Sequence, residues 1–175
     1  MVITLIGMPG AGKTCMGKML GQKFHMKVVD GDKLIESIHG MKLHEIIEKH
    51  GNEGFKKIEE EALMSIEDDN IIVTPGGSAV YYEEFMKKSR ERGPVVYLYA
   101  SPEALIMRLG DFSKRGIVLP EGFTIADLYT ERAPLFEKYS DFTVNCNGTA
   151  YSRYRYVAIS KIRKYIRDKG LNIEI

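Results

Sequence analysis

Residues 7–14 run Gly-Met-Pro-Gly-Ala-Gly-Lys-Thr, an unbroken G-x-x-x-x-G-K-[ST] pattern. These residue types at this spacing can cradle a nucleoside triphosphate. The backbone N–H groups of Gly10, Ala11, Gly12, Lys13, Thr14 and Cys15 are placed to converge on phosphate oxygens, helped by the dipole of the helix that must follow. Lys13 would reach the β- and γ-phosphates, and Thr14 would offer its hydroxyl to Mg²⁺. Asp30-Gly31-Asp32 supplies two carboxylates that can divide labour. One can hold Mg²⁺ through its water shell, since that ion keeps several waters. The other can face an acceptor hydroxyl as proton acceptor or positioner. The same Asp-Gly-Asp letters also suit an ordinary turn or a helix cap.

Other groups are candidates for the acceptor side. Thr74-Pro75-Gly76-Gly77-Ser78 ends a β-branched run, and adjacent glycines let a backbone approach a ligand closely. Arg108 and Arg115 bracket an irregular glycine-containing segment, and an arginine closing on a γ-phosphate stabilises transition-state charge. Arg132, in Glu-Arg-Ala-Pro-Leu-Phe at the expected end of a helix, carries a planar guanidinium suited to a carboxylate. Lys56 sits beside Lys57 and ahead of Glu59, Glu60 and Glu61, which resembles a solvated helix face. The four histidines show no metal-ligand spacing. Arg153-Tyr154-Arg155-Tyr156 mixes bases with aromatics but fits an amphipathic helix better than a nucleic-acid surface.

The elements that must position these residues follow from periodicity. Val2–Ile6, Lys27–Val29, Ile71–Thr74, Val95–Ala100 and Phe142–Asn145 are short strand-like runs. Helical patterns lie between them: Cys15–Phe24, Leu34–Ile38, Leu43–His50, Phe55–Glu67, Glu83–Glu91 and a last helix from Tyr151 to Lys169, stopped by Gly170. Met16, Met19, Leu20 and Phe24 share one helical face. Ser101-Pro102-Glu103 has the cap and first-turn proline of a helix start. Alternating strands and helices imply a parallel sheet covered on both faces, with ligands at the strand ends. Gly110–Phe123 breaks this alternation and is expected to form a lid.

Length and composition set bounds. The chain has 175 residues, 25 Lys+Arg against 24 Asp+Glu, and a formal net charge of +1. One domain over 1–175 is expected. The charge balance argues for neither nucleic acid nor an anionic membrane as partner. No apolar run is long enough to span a bilayer, and Met1 leads straight into a strand, so a cytoplasmic protein is expected. Two cysteines, Cys15 and Cys146, make no disulfide framework. Cys15 stands at a helix start that could activate a thiol, or is simply a small helical residue.

Taken together, these segments resemble the shikimate kinase family, from Ile3 to about Gly148. Asp30-x-Asp32 is similar to its D-x-D. Gly51 to Glu59 resembles G-E-x-x-F-R-x-x-E, with Phe55 and Glu59 in place. Thr74 to Ser78 resembles T-G-G-G-[AS], and Glu131 to Phe136 resembles E-R-x-P-L-Y. The resemblance implies a three-layer α/β/α P-loop kinase with five parallel strands in the order 2-3-1-4-5 and a lid. It implies ATP and Mg²⁺, a small-molecule acceptor and a monomer. It also implies roles: Thr14 and Asp30 at the metal, Asp32 at the accepting hydroxyl, Lys56 and Arg132 on the acceptor carboxylate, and Gly76 and Gly77 as backbone contacts. Arg108 would stack on adenine and Arg115 would close on the phosphates. Three departures touch this pattern. Lys56 replaces an arginine, Pro75 replaces the first glycine while the glutamate after glycine is Asn52 or is displaced to Glu53, and Arg115-Gly116-Ile117-Val118 replaces R-P-L-L. A kinase for another hydroxylated acid, sugar acid or nucleotide, or a non-catalytic nucleotide-binding module, stays open on the sequence.

Overall fold

A computed structural model describes residues 1–109, 123–147 and 151–171 of the chain. The β-branched and apolar runs become five strands: β1 Val2–Ile6, β2 Lys27–Asp30, β3 Ile71–Thr74, β4 Val95–Tyr99 and β5 Phe142–Asn145. All pairings are parallel, in the order β2-β3-β1-β4-β5, as expected. Central strand β1 is buried at every residue, the signature of a sheet covered on both faces.

The helices are α1 Lys13–Phe24, α2 Gly31–His39, α3 Leu43–Met64, α4 Glu83–Arg92, α5 Pro102–Leu109, α6 Ile125–Tyr139 and α7 Tyr151–Asp168, with a 3₁₀ turn at Ala79–Tyr81. Helix α1 packs on β2, β3 and α7, while α4 packs on β1 and α3. The predicted face of α1, Met16, Met19, Leu20 and Phe24, is buried in the main core with Ile3, Leu5, Val96, Leu98, Phe136 and Ile162. A smaller cluster of Ile35, Ile46 and Ala62 ties α2 to α3.

Three local details differ from the sequence expectation or refine it. The two helical patterns before β3 run on as α3, but bend at Gly51, whose φ of 67° and ψ of 176° are non-helical. Only a residue without Cβ takes that φ at little cost, so the break survives as a kink. Second, Arg132 lies in the interior of α6 and not at a helix end. Pro134 removes one helical hydrogen bond. The helix nevertheless continues, because Ile125, Leu128, Phe136 and Tyr139 bury one face along its whole length. Third, α6 starts at a capping box: Thr124 Oγ1 accepts from the Asp127 N–H, and the Asp127 carboxylate accepts from the Thr124 N–H.

Two expected helix ends are present. Ser101 Oγ accepts from the Ala104 N–H at the start of α5. Gly170, with φ of 62°, follows α7. Among the described residues no helix is long and apolar enough to cross a membrane. The expected lid, apart from Phe123, lies outside the described residues, and Arg115 lies there too.

Candidate active site

The site sits at the carboxyl ends of β1, β2 and β3, where a parallel sheet opens toward solvent. Beyond Ile6 the chain turns through residues 7–12 into α1. Gly12 takes φ of 99° at the helix N-cap, a left-handed conformation that favours glycine. No side chain caps α1 and its first turn holds no acidic residue. The first N–H groups of any helix lack carbonyl partners, so an uncapped end with no competing carboxylate is left for an anion. Within the loop, Ala11 N–H donates to the Met8 carbonyl, which fixes the turn. Cys15 is exposed on the first turn of α1.

Lys13 folds back over this loop. Its Nζ donates to the carbonyls of Gly7 at 2.8 Å and Met8 at 3.2 Å. Burial of the ammonium lowers its pKa to about 8, opposed by Asp32, Glu59 and Asp30 and reinforced by Arg132. A cation desolvated in this way gains from an incoming phosphate, which restores the opposing charge that water supplied. The same four side chains that act on Lys13 are the ones that define the rest of the site.

Asp30 and Asp32 take different positions around the start of α2. Asp30 is the N-cap: its Oδ1 accepts from the Lys33 N–H, and its Oδ2 accepts from Thr14 Oγ1 at 3.0 Å and Thr74 Oγ1 at 3.4 Å. The Asp30–Thr74 register of β2 and β3 makes this meeting possible. Asp32 lies within the first turn of α2. Desolvation, then the Asp30 charge, raise its pKa above the usual 3.8, against the pull of Lys13. A carboxylate poised in this manner is a better proton acceptor than an ordinary aspartate.

Among the described residues no group of three His, Cys, Asp or Glu side chains could hold a metal. The Thr14 hydroxyl and Asp30 carboxylate nevertheless fit Mg²⁺. That ion uses hard oxygen donors and binds through one or two protein groups, waters and substrate phosphates, without a full protein cage. A concavity of about 590 Å³ opens beside Thr14 and Asp30 and runs under β2 past Lys18, Lys27 and Lys33.

The facing wall comes from α3, the turn after β3, and α6. A Cβ on Gly76 would collide with Glu59 Oε1, and one on Gly77 would stand 3.0 Å from Arg132 Nη1 and 2.9 Å from Pro9 Cδ. The glycine pair is thus pressed between Glu59 on one side and the P-loop and Arg132 on the other. Glu59 is 2% exposed and its Oε2 accepts from Ser78 Oγ at 2.5 Å and Tyr82 OH at 2.7 Å. Burial and the Glu59 charge push the Tyr82 phenol well above its usual range. The 3₁₀ turn sends the next-door Tyr81 to α6, where its hydroxyl accepts from Arg132 Nε at 3.1 Å and donates to Glu131 Oε1 at 2.6 Å.

Glu59 corrects the expectation that residues 59–61 form a solvated face. Glu61 is exposed, but Glu59 falls on the inward stripe of α3 with Phe55, Ala62 and Leu63. That helical spacing was the signal available in the sequence: an acidic residue on an apolar stripe needs buried partners. Ser78, Tyr81 and Tyr82 carried no such signal, because their partners lie in other elements.

Two expected site residues are engaged by other groups in this structure. Lys56 is exposed and its Nζ donates to Glu53 Oε1 at 2.6 Å, one helical turn back. Arg108 ends α5 and donates to the Cys146 carbonyl beyond β5, beside the carboxyl ends of β4 and β5. Cys146 is buried, which lifts its thiol to about 11.

A parallel sheet of this order, a G-x-x-x-x-G-K-T loop feeding a bare helix N-terminus, and an aspartate and an arginine facing that loop define a P-loop phosphotransferase. The family model for shikimate kinase matches residues 9–165, and the chain belongs to the shikimate kinase family. It is 33% identical over 171 residues to shikimate kinase of Caldanaerobacter subterraneus subsp. tengcongensis, covering 96% of this chain and 98% of that one. It is 35% identical over 173 residues to shikimate kinase of Francisella tularensis subsp. novicida, covering 97% and 96%. The solved structure of Acinetobacter baumannii shikimate kinase in complex with shikimate superposes with a TM-score of 0.82 at 30% identity, covering 98% of this chain and 95% of that one.

Proposed function

We propose that the protein transfers the γ-phosphoryl group of ATP to a hydroxyl of shikimate. The observation that carries this is the phosphate loop itself, with Lys13 folded over its carbonyls, Thr14 bonded to Asp30, and Gly77 set between Pro9 and Arg132. The loop and the N-terminus of α1 hold the triphosphate, with Lys13 exchanging its two carbonyl partners for phosphate oxygens. Thr14 and Asp30 would hold Mg²⁺, which neutralises phosphate charge when bound. Asp32 orients the accepting hydroxyl and takes its proton. Arg132 binds the acceptor carboxylate, and the Gly76 and Gly77 backbone lies against the acceptor ring. Lys56 joins this clamp by leaving Glu53, an exposed pair whose loss costs little. Arg108 meets the adenine, and Arg115 closes on the phosphates from the lid. Almost all of the catalysis is positioning and charge stabilisation, because phosphoryl transfer asks for little covalent chemistry. A monomer in the cytoplasm is kept as part of this reading.

The test is ADP release from Mg-ATP with and without shikimate, in the parent and in Asp32→Asn and Arg132→Ala. Shikimate-dependent turnover is expected, reduced about 10²- to 10⁴-fold in Asp32→Asn. Arg132→Ala is expected to raise the KM for shikimate while leaving that for ATP unchanged. Turnover indifferent to shikimate would refute the acceptor, and equal loss of both substrates in Arg132→Ala would refute the clamp.

A further inference from the structure

The turn after β3 ends in two consecutive tyrosines with different partners. Tyr82 is buried and holds Glu59 on α3. Tyr81 is half-buried and holds Arg132 on α6. The 3₁₀ hydrogen bonds Tyr81 N–H to the Ser78 carbonyl and Tyr82 N–H to the Ala79 carbonyl fix the direction of both rings. The turn itself packs against α6.

Tyr81 engages Arg132 in two ways. The Arg132 guanidinium carbon stands 5.2 Å from the Tyr81 ring centroid, a cation–π contact. Its Nε also donates to the Tyr81 hydroxyl, which in turn donates to Glu131 Oε1. Each group in this chain of hydrogen bonds is used in its proper sense: guanidinium donor, hydroxyl as acceptor and donor, carboxylate as acceptor. Burial and the Glu131 bond raise the Tyr81 pKa, so the phenol keeps the proton it donates. With Nε occupied, the two terminal nitrogens, Nη1 and Nη2, remain as a parallel fork, and Nη1 is the one facing Gly77.

We propose that Tyr81 is a positioning residue for the acceptor: with Glu131 it locks the Arg132 guanidinium so that its Nη1/Nη2 edge meets the acceptor carboxylate. It rests on the reading that Arg132 binds that carboxylate. The physical reason is entropy. A free arginine loses much rotamer freedom when it grips a ligand, whereas one already held by a ring and a hydroxyl has lost it beforehand. The lock matters more in this chain because Lys56 stands where an arginine would offer a second planar fork. Arg132 is therefore the fork that reads a planar carboxylate, and its orientation sets the preference for acids over neutral polyols.

The experiment compares the parent with Tyr81→Phe and Tyr81→Leu by steady-state kinetics and by the Arg132 Nε–H signal in a ¹H–¹⁵N spectrum of the ligand-free protein. Tyr81→Phe keeps the ring and loses the hydroxyl. It is expected to raise the KM for shikimate about fivefold, the scale of one hydrogen bond, with kcat and the KM for ATP unchanged. Tyr81→Leu loses both contacts and should raise it further, so that phenylalanine counts as a partial rescue. The Nε–H signal, protected from exchange in the parent, should broaden in both variants. An unchanged shikimate KM in Tyr81→Phe, an equal rise in the KM for ATP, or an unaltered Nε–H signal each overturns the proposal. If the parent shows no turnover with shikimate, the acceptor assignment falls by itself, and the Nε–H signal still decides whether Tyr81 holds Arg132.

Discussion

The phosphate loop and the wall of α3, the turn after β3, and α6 meet at Gly77, beside Pro9 and Arg132, but are built by opposite means. The loop is a single contiguous segment, Gly7 to Thr14, working through backbone N–H groups and one lysine. Its geometry is enforced by the strand that enters it and the helix that leaves it. The wall is assembled from α3, the turn after β3, and α6, with Glu59 bonded to Tyr82 and Tyr81 to Arg132 by side chains. A loop of local backbone tolerates variation everywhere except at a few letters. A wall of side-chain bonds between distant elements can exchange members as long as each buried polar group keeps a partner. The departures at Lys56 and Pro75 both fall on or beside the wall, and none falls in the G-x-x-x-x-G-K-T letters.

The sharpest way to break this contrast is to remove the one side chain on which the loop depends. Lys13→Met is expected to cut turnover by about 10³-fold, the scale of losing a donor aimed at developing charge. Its melting temperature should be equal to or above that of the parent, because the buried ammonium is a cost to the fold. Lost activity with an intact fold, seen by ADP release and thermal unfolding, would set the loop apart from the wall. A fall in both would remove the distinction.

On the wall, stability and binding should fall together. Gly76→Ala drives a methyl into Glu59 Oε1. The expected destabilisation is about 1–3 kcal/mol, with a raised KM for shikimate and little change in that for ATP. Chemical denaturation and the two KM values check this. A variant as stable as the parent would mean that Glu59 moves aside freely.

The subtlest effect is in pH. Asp32 titrates above 3.8, so kcat/KM should fall on the acid side at a higher pH than an ordinary aspartate would give. Lys13 loses its proton near about 8 in the free protein, so kcat/KM for ATP should decline as pH rises through that value. Stability moves the other way. Between about 8 and the ordinary 10.5 the unfolded chain keeps the Lys13 proton that the folded one has released. The unfolded state binds more protons there, so the Lys13 contribution to stability rises with pH across that window. Subtracting the Lys13→Met denaturation curve from that of the parent isolates it. A flat difference from pH 7 to 10 would mean that Lys13 is not desolvated as described.

Much of this molecule was legible from its letters. Five short apolar runs separated by helical patterns determined a covered parallel sheet, because a period of two or of 3.6 is a local property of the chain. The G-x-x-x-x-G-K-T run determined the phosphate loop for the same reason: its function needs only neighbouring backbone and the helix that follows. The D-x-D pair at a strand end was legible as two carboxylates, though which of them caps α2 against Thr14 was not. Glu59, hidden in a run of three glutamates, was legible through its place in the G-E-x-x-F-R-x-x-E resemblance and on the stripe of α3.

Tertiary structure alone decided the rest. It chose Tyr82 and Ser78 as partners of Glu59, and Tyr81 as the partner of Arg132. It carried α6 through Pro134 and left Lys56 on Glu53. These outcomes depend on which side chains the sheet order brings within hydrogen-bond distance, and no local pattern encodes that. A buried carboxylate must find donors, but only the packing of α3 and α6 against the turn after β3 determines which donors they are.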